Sequence, residues 1–440
     1  MKPKVFFLTL YIACLSHYVS AQTIADTVKI RSLNDVVAAA VQRNPTQAVY
    51  QEQIRQAQYN YKASKGFYYP NASASFNGTD NLHLATTPVP GELVGKSGTT
   101  YYAQFGKTYT YNTGVTLSQS ILDWTLILQS KIARDNMLLT QAQQSSYMQS
   151  LKEQVTRLYF TALIAKSALE INQADQVLAD SLALLSRQRL KEGTSDLLAA
   201  NQAAINYNNV QQSQAQSRQL YDQSIENLKI LLGEKSASEL SLTEKLNLDS
   251  LAAAGATALG ADKTLAVYEQ QVNIADIQSR SQRSAAYPII SASAYFGGQQ
   301  FRNDFGLSFA NNTWNAYRYL GLNITVPIFT GLTNTNKYRS AKVQKDIAQL
   351  QYENARQQSQ INDRLLLKNY TDYQKMVKSS ANSFKLYGDN LRLNQQKYHE
   401  GVTGMDVYLK AFQDYLTAEN NYLNNLSQLL SAKSTLLSRL

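Results

Sequence analysis

The 440-residue chain has one cysteine, Cys14, close to its start. An intrachain disulfide is therefore excluded, and so is a multi-thiolate metal centre. Histidine is nearly as scarce, with three residues, and no pair has metal-ligand spacing. There is no Gly-rich phosphate loop and no Ser/His/Asp arrangement in a context that would make it work. The composition thus points to no metal, no cofactor, no catalytic residue and no enzyme. After the first residues, no segment has the roughly 18 consecutive apolar residues of a membrane helix. Charged side chains are only 17%. The net charge of +10 is spread out rather than clustered, so nucleic acid is not an expected partner.

What is present begins with an address. Lys2-Pro3-Lys4 precedes an apolar run from Val5 to Leu15, and Val19-Ser20-Ala21 follows. This predicts a secretory signal over residues 1–21, cut after Ala21. Cys14 falls inside the apolar run and reads as ordinary filler there, with lipidation the weaker alternative.

The rest of the chain says the same thing twice. Tyr69-Pro70-Asn71-Ala72-Ser73-Ala74 returns as Tyr287-Pro288-Ile289-Ile290-Ser291-Ala292. Gly114-Val115-Thr116-Leu117 returns as Gly321-Leu322-Asn323-Ile324, and Lys191-Glu192-Gly193 as His399-Glu400-Gly401. The echoes keep their order, which predicts a duplicated α-β-β-α unit. The first repeat spans 22–232, a connector 233–260, and the second repeat 261–440.

In the first repeat a helix is expected from Leu33 to about Lys65, kinked at Pro45. From Asn71 the pattern alternates: Ala72, Ala74 and Phe76 against Asn71, Ser73 and Ser75. That is a strand with one apolar and one wet face. Asn77 to about Lys107, rich in Gly, Pro and Thr, reads as a long loop. A second strand follows, with Tyr109, Tyr111, Thr113, Val115 and Leu117 on one face. Trp124 to Lys191 contains neither Pro nor Gly and predicts a helix of about 100 Å. Leu151, Val155, Leu158, Ala162, Ala165 and Leu169 recur at coiled-coil intervals. Gly193 ends that helix, and a return helix runs from about Ser195 to Leu232. The second repeat predicts strands near 288–298 and 315–329, a helix from about Asn334 to Glu400, and a return helix from Asp406.

Without a membrane helix, such a chain crosses a membrane only as a closed β-barrel. Four strands cannot close one, since single-chain barrels begin at about eight. The fold class is therefore a mixed α and β membrane protein that oligomerises, and a homotrimer would supply twelve strands. Tyr69, Tyr109, Tyr111, Tyr295, Tyr317 and Tyr319, read as lying at strand ends, are candidates for an interfacial girdle against membrane lipid.

This order of parts resembles the TolC-type outer-membrane efflux proteins. The resemblance rests on Tyr-Pro before each first strand, on Arg189-Leu190-Lys191-Glu192-Gly193, and on Lys397-Tyr398-His399-Glu400-Gly401 with Asp406-Val407-Tyr408-Leu409-Lys410-Ala411. It covers essentially the whole chain after the leader. It implies a trimeric twelve-stranded barrel in the outer membrane, continued by a long α-helical barrel in the periplasm. It also implies a passive export channel served by a periplasmic adaptor (membrane fusion) protein and an inner-membrane pump of the RND or ABC type. The adaptor would dock at Lys191, Glu192, Gly193, Thr194, Ser195, Glu400, Gly401, Val402, Thr403 and Gly404. Where the family often carries an acidic residue beside its aperture, this chain has Lys410, and Asp406 is the substitute candidate. A coiled-coil scaffold of the periplasm or cell surface is the competing interpretation, and the cargo stays open.

Overall fold

The structure, a computed structural model, describes residues 27–235, 238–244, 246, 259–310 and 313–440. The expected leader, with Cys14, and part of the expected connector, including Gly255, lie outside the described residues. In chain order the first elements are β1 (Thr27–Ile30), α1 (Leu33–Arg43), α2 (Pro45–Ser64), β2 (Asn71–Asp80) and β3 (Thr86–Pro90). Then come β4 (Thr100–Gln104), β5 (Tyr109–Leu122), α3 (Trp124–Lys191), α4 (Leu197–Leu232) and β6 (Glu239–Leu242). The last are α5 (Lys263–Ser284), β7 (Ile289–Arg302), β8 (Asn315–Thr325), α6 (Thr333–His399) and α7 (Met405–Ser438). The fold is mixed α and β and mostly helical.

The chain divides into two compact units. The helical unit comprises residues 1–51, 144–263 and 357–440. Its core takes Leu151, Val155 and Tyr159 from α3, Leu228 and Leu232 from α4, and Leu426, Leu430 and Leu436 from α7. Of the coiled-coil stripe expected on α3, Leu151, Val155 and Ala162 lie inside this core and Leu158 packs against it. Pro45 does more than kink the first helix. It lacks an N–H, so α1 stops at Arg43 and Pro45 opens α2 as its first residue. Asn44 holds the joint. Its Oδ1 accepts from Gln47 N–H at 3.0 Å and from the Tyr147 hydroxyl at 2.8 Å, and its Nδ2 donates to Leu231 O at 2.9 Å. Strand β6, inside the expected connector, pairs in parallel with β1. Four-residue strands carry too little periodicity to be read from sequence.

The second unit comprises residues 52–143 and 264–356. It holds a four-stranded antiparallel sheet in the order β2-β5-β7-β8. The loop expected over 77–107 is not structureless. Strand β2 continues to Asp80, and β3 pairs with β4 as a hairpin around a 3-10 turn at Gly91–Val94. Pro88 and Pro90 fit there because β3 has a neighbour on one side only.

Candidate functional site: two helical turns and an amphipathic sheet

The two turns of the helical unit close by the same hydrogen bonds. At the end of α3, Gly193 N–H donates to Leu190 O at 3.1 Å and Thr194 N–H to Arg189 O at 2.9 Å. At the end of α6, Gly401 N–H donates to Tyr398 O at 3.1 Å and Val402 N–H to Lys397 O at 2.8 Å. Both are Schellman closures, which need a left-handed residue. Gly193 and Gly401 supply it, at φ 70° and 75°. The glutamates match as well: Glu192 accepts from Gln188 Nε2 and Glu400 from Gln396 Nε2, each at 2.9 Å.

The return helices start differently. Asp196 caps α4 by accepting from Ala199 N–H at 2.8 Å. Gly404, at the head of α7, has no side chain to do so. Asp406 folds back so that its Oδ1 occupies the space a Cβ on Gly404 would need. Lys191, Glu192, Gly193, Thr194, Glu400, Gly401, Val402 and Gly404 are exposed, while Ser195 and Thr403 are half-buried. The hydroxyl of Thr403 is buried without a partner.

Sequence reasoning quoted Arg189 and Tyr398 as parts of motifs but gave them no role. The structure brings them together: the Arg189 guanidinium lies 4.9 Å from the Tyr398 ring centroid. This cation–π contact joins the end of α3 to the end of α6. Tyr398 in turn packs against Tyr408 of α7, centroid to centroid at 5.5 Å. Beneath them lie Leu182, Met405, Leu409 and Phe412. Of the aperture candidates, both are exposed, and Lys410 is paired with Asp414 one turn along α7 at 2.5 Å. Its charge is thus locally matched rather than free.

In the other unit the register decides which side chains share a face. Ala74 pairs with Val115, Val115 with Phe296, and Leu117 with Ala294, which pairs with Leu320. Directly opposed residues point the same way, so Ala72, Phe76, Ala292, Leu322 and Ile324 lie on one mainly apolar face, which also carries Gln119 and Arg318. The other face carries Asn71, Ser73, Ser75, Thr116, Ser293 and Asn323, with Ile289 and Phe301 near the two ends of β7. The apolar face is open within the chain: Phe76, Phe296, Leu320 and Leu322 are 57, 48, 83 and 63% exposed.

The six tyrosines separate on this sheet. Tyr109 and Tyr111 share the apolar face, and Tyr69 precedes β2. Tyr111 is buried, its ring resting on Gly78 and its hydroxyl accepting from Gly306 N–H at 3.2 Å. Tyr295, Tyr317 and Tyr319 sit on the polar face, as a cluster with centroids 5.6 to 5.7 Å apart. Tyr295 lies mid-strand, not at a strand end, and its ring covers Gly114 and Gly297, where an added Cβ would come within 2.5 and 2.6 Å of it. A single strand-end girdle of all six is thereby corrected. Period-two alternation separates odd from even positions of a strand, whatever their distance from its ends.

Among the described residues no helix is long and apolar enough to cross a membrane, and no group of three or more His, Cys, Asp or Glu could hold a metal. The family model for outer membrane efflux proteins matches residues 36–234 and 255–440. Two curated relatives from Pseudomonas putida, the solvent efflux pump outer membrane protein SrpC and the toluene efflux pump outer membrane protein TtgI, are each 27% identical over 308 residues. The match takes in 67% of this chain, which spans 63% of the length of these curated relatives. Solved structures share the fold. CusC superposes with a TM-score of 0.77 at 18% identity, covering 92% of this chain and 91% of that one. The Campylobacter jejuni CmeC outer membrane channel gives 0.74 at 16%, covering 92% and 85%. With a family model matching most of its length, the chain belongs to the outer membrane efflux protein family.

Proposed function

We propose that the chain is the outer-membrane export duct of a tripartite efflux system, a passive channel with no chemistry of its own. The observation that carries this is the amphipathic sheet. It exposes one apolar and one polar face, and β2 and β8 each pair on one side only. Unpaired edges and an uncovered apolar face are stable in a bilayer only if the sheet closes. Three copies would join β8 to β2 into a twelve-stranded barrel, apolar face to lipid and polar face to the lumen. Tyr109 would then lie on the lipid side, with Tyr111 packed beside Phe76, and the Tyr295 cluster would face the lumen. The two segments matched by the family model support a duplicated chain, with 22–232 and 261–440 as repeats and 233–260 as connector.

The α-helices would continue the duct into the periplasm. The exposed turns at Lys191–Ser195 and Glu400–Gly404 suit docking of a periplasmic adaptor, coupled to an inner-membrane pump of the RND or ABC type. Asp406 and Lys410 would line the aperture. The names of the two Pseudomonas relatives favour small organic molecules as cargo. Electron microscopy of the detergent-extracted chain tests the reading. Three-fold particles with a membrane-embedded end and a long helical end are expected. Rods that need no detergent would overturn it in favour of a coiled-coil scaffold.

A further inference from the structure

The helical unit buries two carboxyl groups against each other. Asp175 of α3 is 4% exposed and Glu419 of α7 is 3% exposed. Neither has a basic partner in any ion pair found among the described residues. The Tyr415 hydroxyl, one turn before Glu419, faces Asp175 and helps to hold its charge. Asp175 Oδ2 nevertheless has no donor from any hydroxyl, amide or cation. Among the described residues no basic group acts on either carboxyl; α4 presents Asn206, Asn209 and Ser213 here, and α6 sets Phe384 against Tyr415.

Two ionised carboxylates cannot share such a place, because each would be stripped of water beside a like charge. One proton between them removes the conflict and gives Asp175 the donor it lacks. We infer that Asp175 and Glu419 share a single proton and form a proton-operated clasp between α3 and α7. Glu419 holds that proton. Burial pushes its carboxyl up to about 9, reinforced by the bond to Asp175. Burial raises Asp175 too, but the closeness of Glu419 and Tyr415 pulls the other way.

A cleft of about 360 Å³, walled in part by Glu419, Asn172 and Asn420, opens beside the pair and gives the proton a route to solvent. When the proton leaves, two negative charges face each other and drive α7 from α3. The clasp lies about 22 Å along α7 from the turn at Gly404, so it bears on the helix that carries that turn. The pH sense follows from linkage. An unfolded glutamate releases its proton near 4.5, while the folded one keeps it to about 9. The stabilisation is complete at low pH and is lost as pH rises through that window.

The test uses the full chain in detergent, with Glu419→Gln as the neutral mimic. Wild type should show the infrared carbonyl stretch of a protonated carboxyl at neutral pH, and Glu419→Gln should lose it. The wild-type melting temperature should fall between about pH 5 and about pH 9. Glu419→Gln should flatten that slope and melt higher than wild type at the alkaline end. Should Glu419→Gln not fold, Asp175→Asn serves, with the Glu419 infrared midpoint moved to lower pH. A wild type without the protonated band, an unchanged slope in Glu419→Gln, or an unmoved midpoint in Asp175→Asn would each overturn the clasp.

Discussion

The helical unit and the sheet use the same apolar residue types for opposite ends. Phe412, Leu426 and Leu430 in the helices are 0, 0 and 1% exposed, while Phe296, Leu320 and Leu322 on the sheet are 48, 83 and 63% exposed. The helices find their apolar partners within the chain, four helices deep. Most of the sheet's apolar side chains find none, because a single layer of four strands has little of its own to cover its faces. One unit is therefore complete as a protein core, and in the proposed barrel the other would be completed by lipid and further strands. A similar contrast recurs on a small scale at the two turns. Their closing halves are identical because a left-handed glycine leaves one geometry, whereas their starting halves use Asp196 in one case and a bare Gly404 in the other.

The largest expected effect sets core against sheet. Phe412→Ala should destabilise the chain by about 3–5 kcal/mol, and Phe296→Ala by much less in detergent. Denaturant titration measures both, and equal losses would break the comparison. Next, Leu322→Arg on the apolar face should cost about 2–4 kcal/mol in folding into lipid vesicles. Asn323→Arg, its neighbour on the polar face, should cost little. A similar penalty for both would mean that the sheet has no lipid side.

Smaller still, Asp196→Ala should cost about 1 kcal/mol by removing the cap of α4, read as a lowered thermal midpoint. No cap of this kind exists to be lost at Gly404. The smallest effect on stability is expected from Lys410→Asp, since an exposed i,i+4 pair contributes about 0.3–0.5 kcal/mol. Its readout is conductance in planar bilayers, where it should act more strongly than Lys368→Asp in the middle of α6. Equal changes would remove Lys410 from the aperture.

Much of this was legible in the residues. The run from Trp124 to Lys191, free of Pro and Gly, is one helix with those bounds. Gly193 and Gly401 stand where a left-handed turn requires them. The separation of the tyrosines was present as well: Tyr295 shares its parity with Ser291 and Ser293, not with Ala292 and Ala294. Position relative to the strand ends does not carry that signal; parity does. The hairpin of β3 and β4 was hidden by its prolines, which suggest a loop wherever the strand's edge position is unknown.

The sequence by itself determined helix length, turn geometry and the two-faced strands, since each depends on residues a few positions apart. Only the tertiary structure decided that Arg189 meets Tyr398, that β1 pairs with β6, and that Asp175 faces Glu419. These partners are far apart in the chain, and no local periodicity records which helix face or strand edge will come to lie against another.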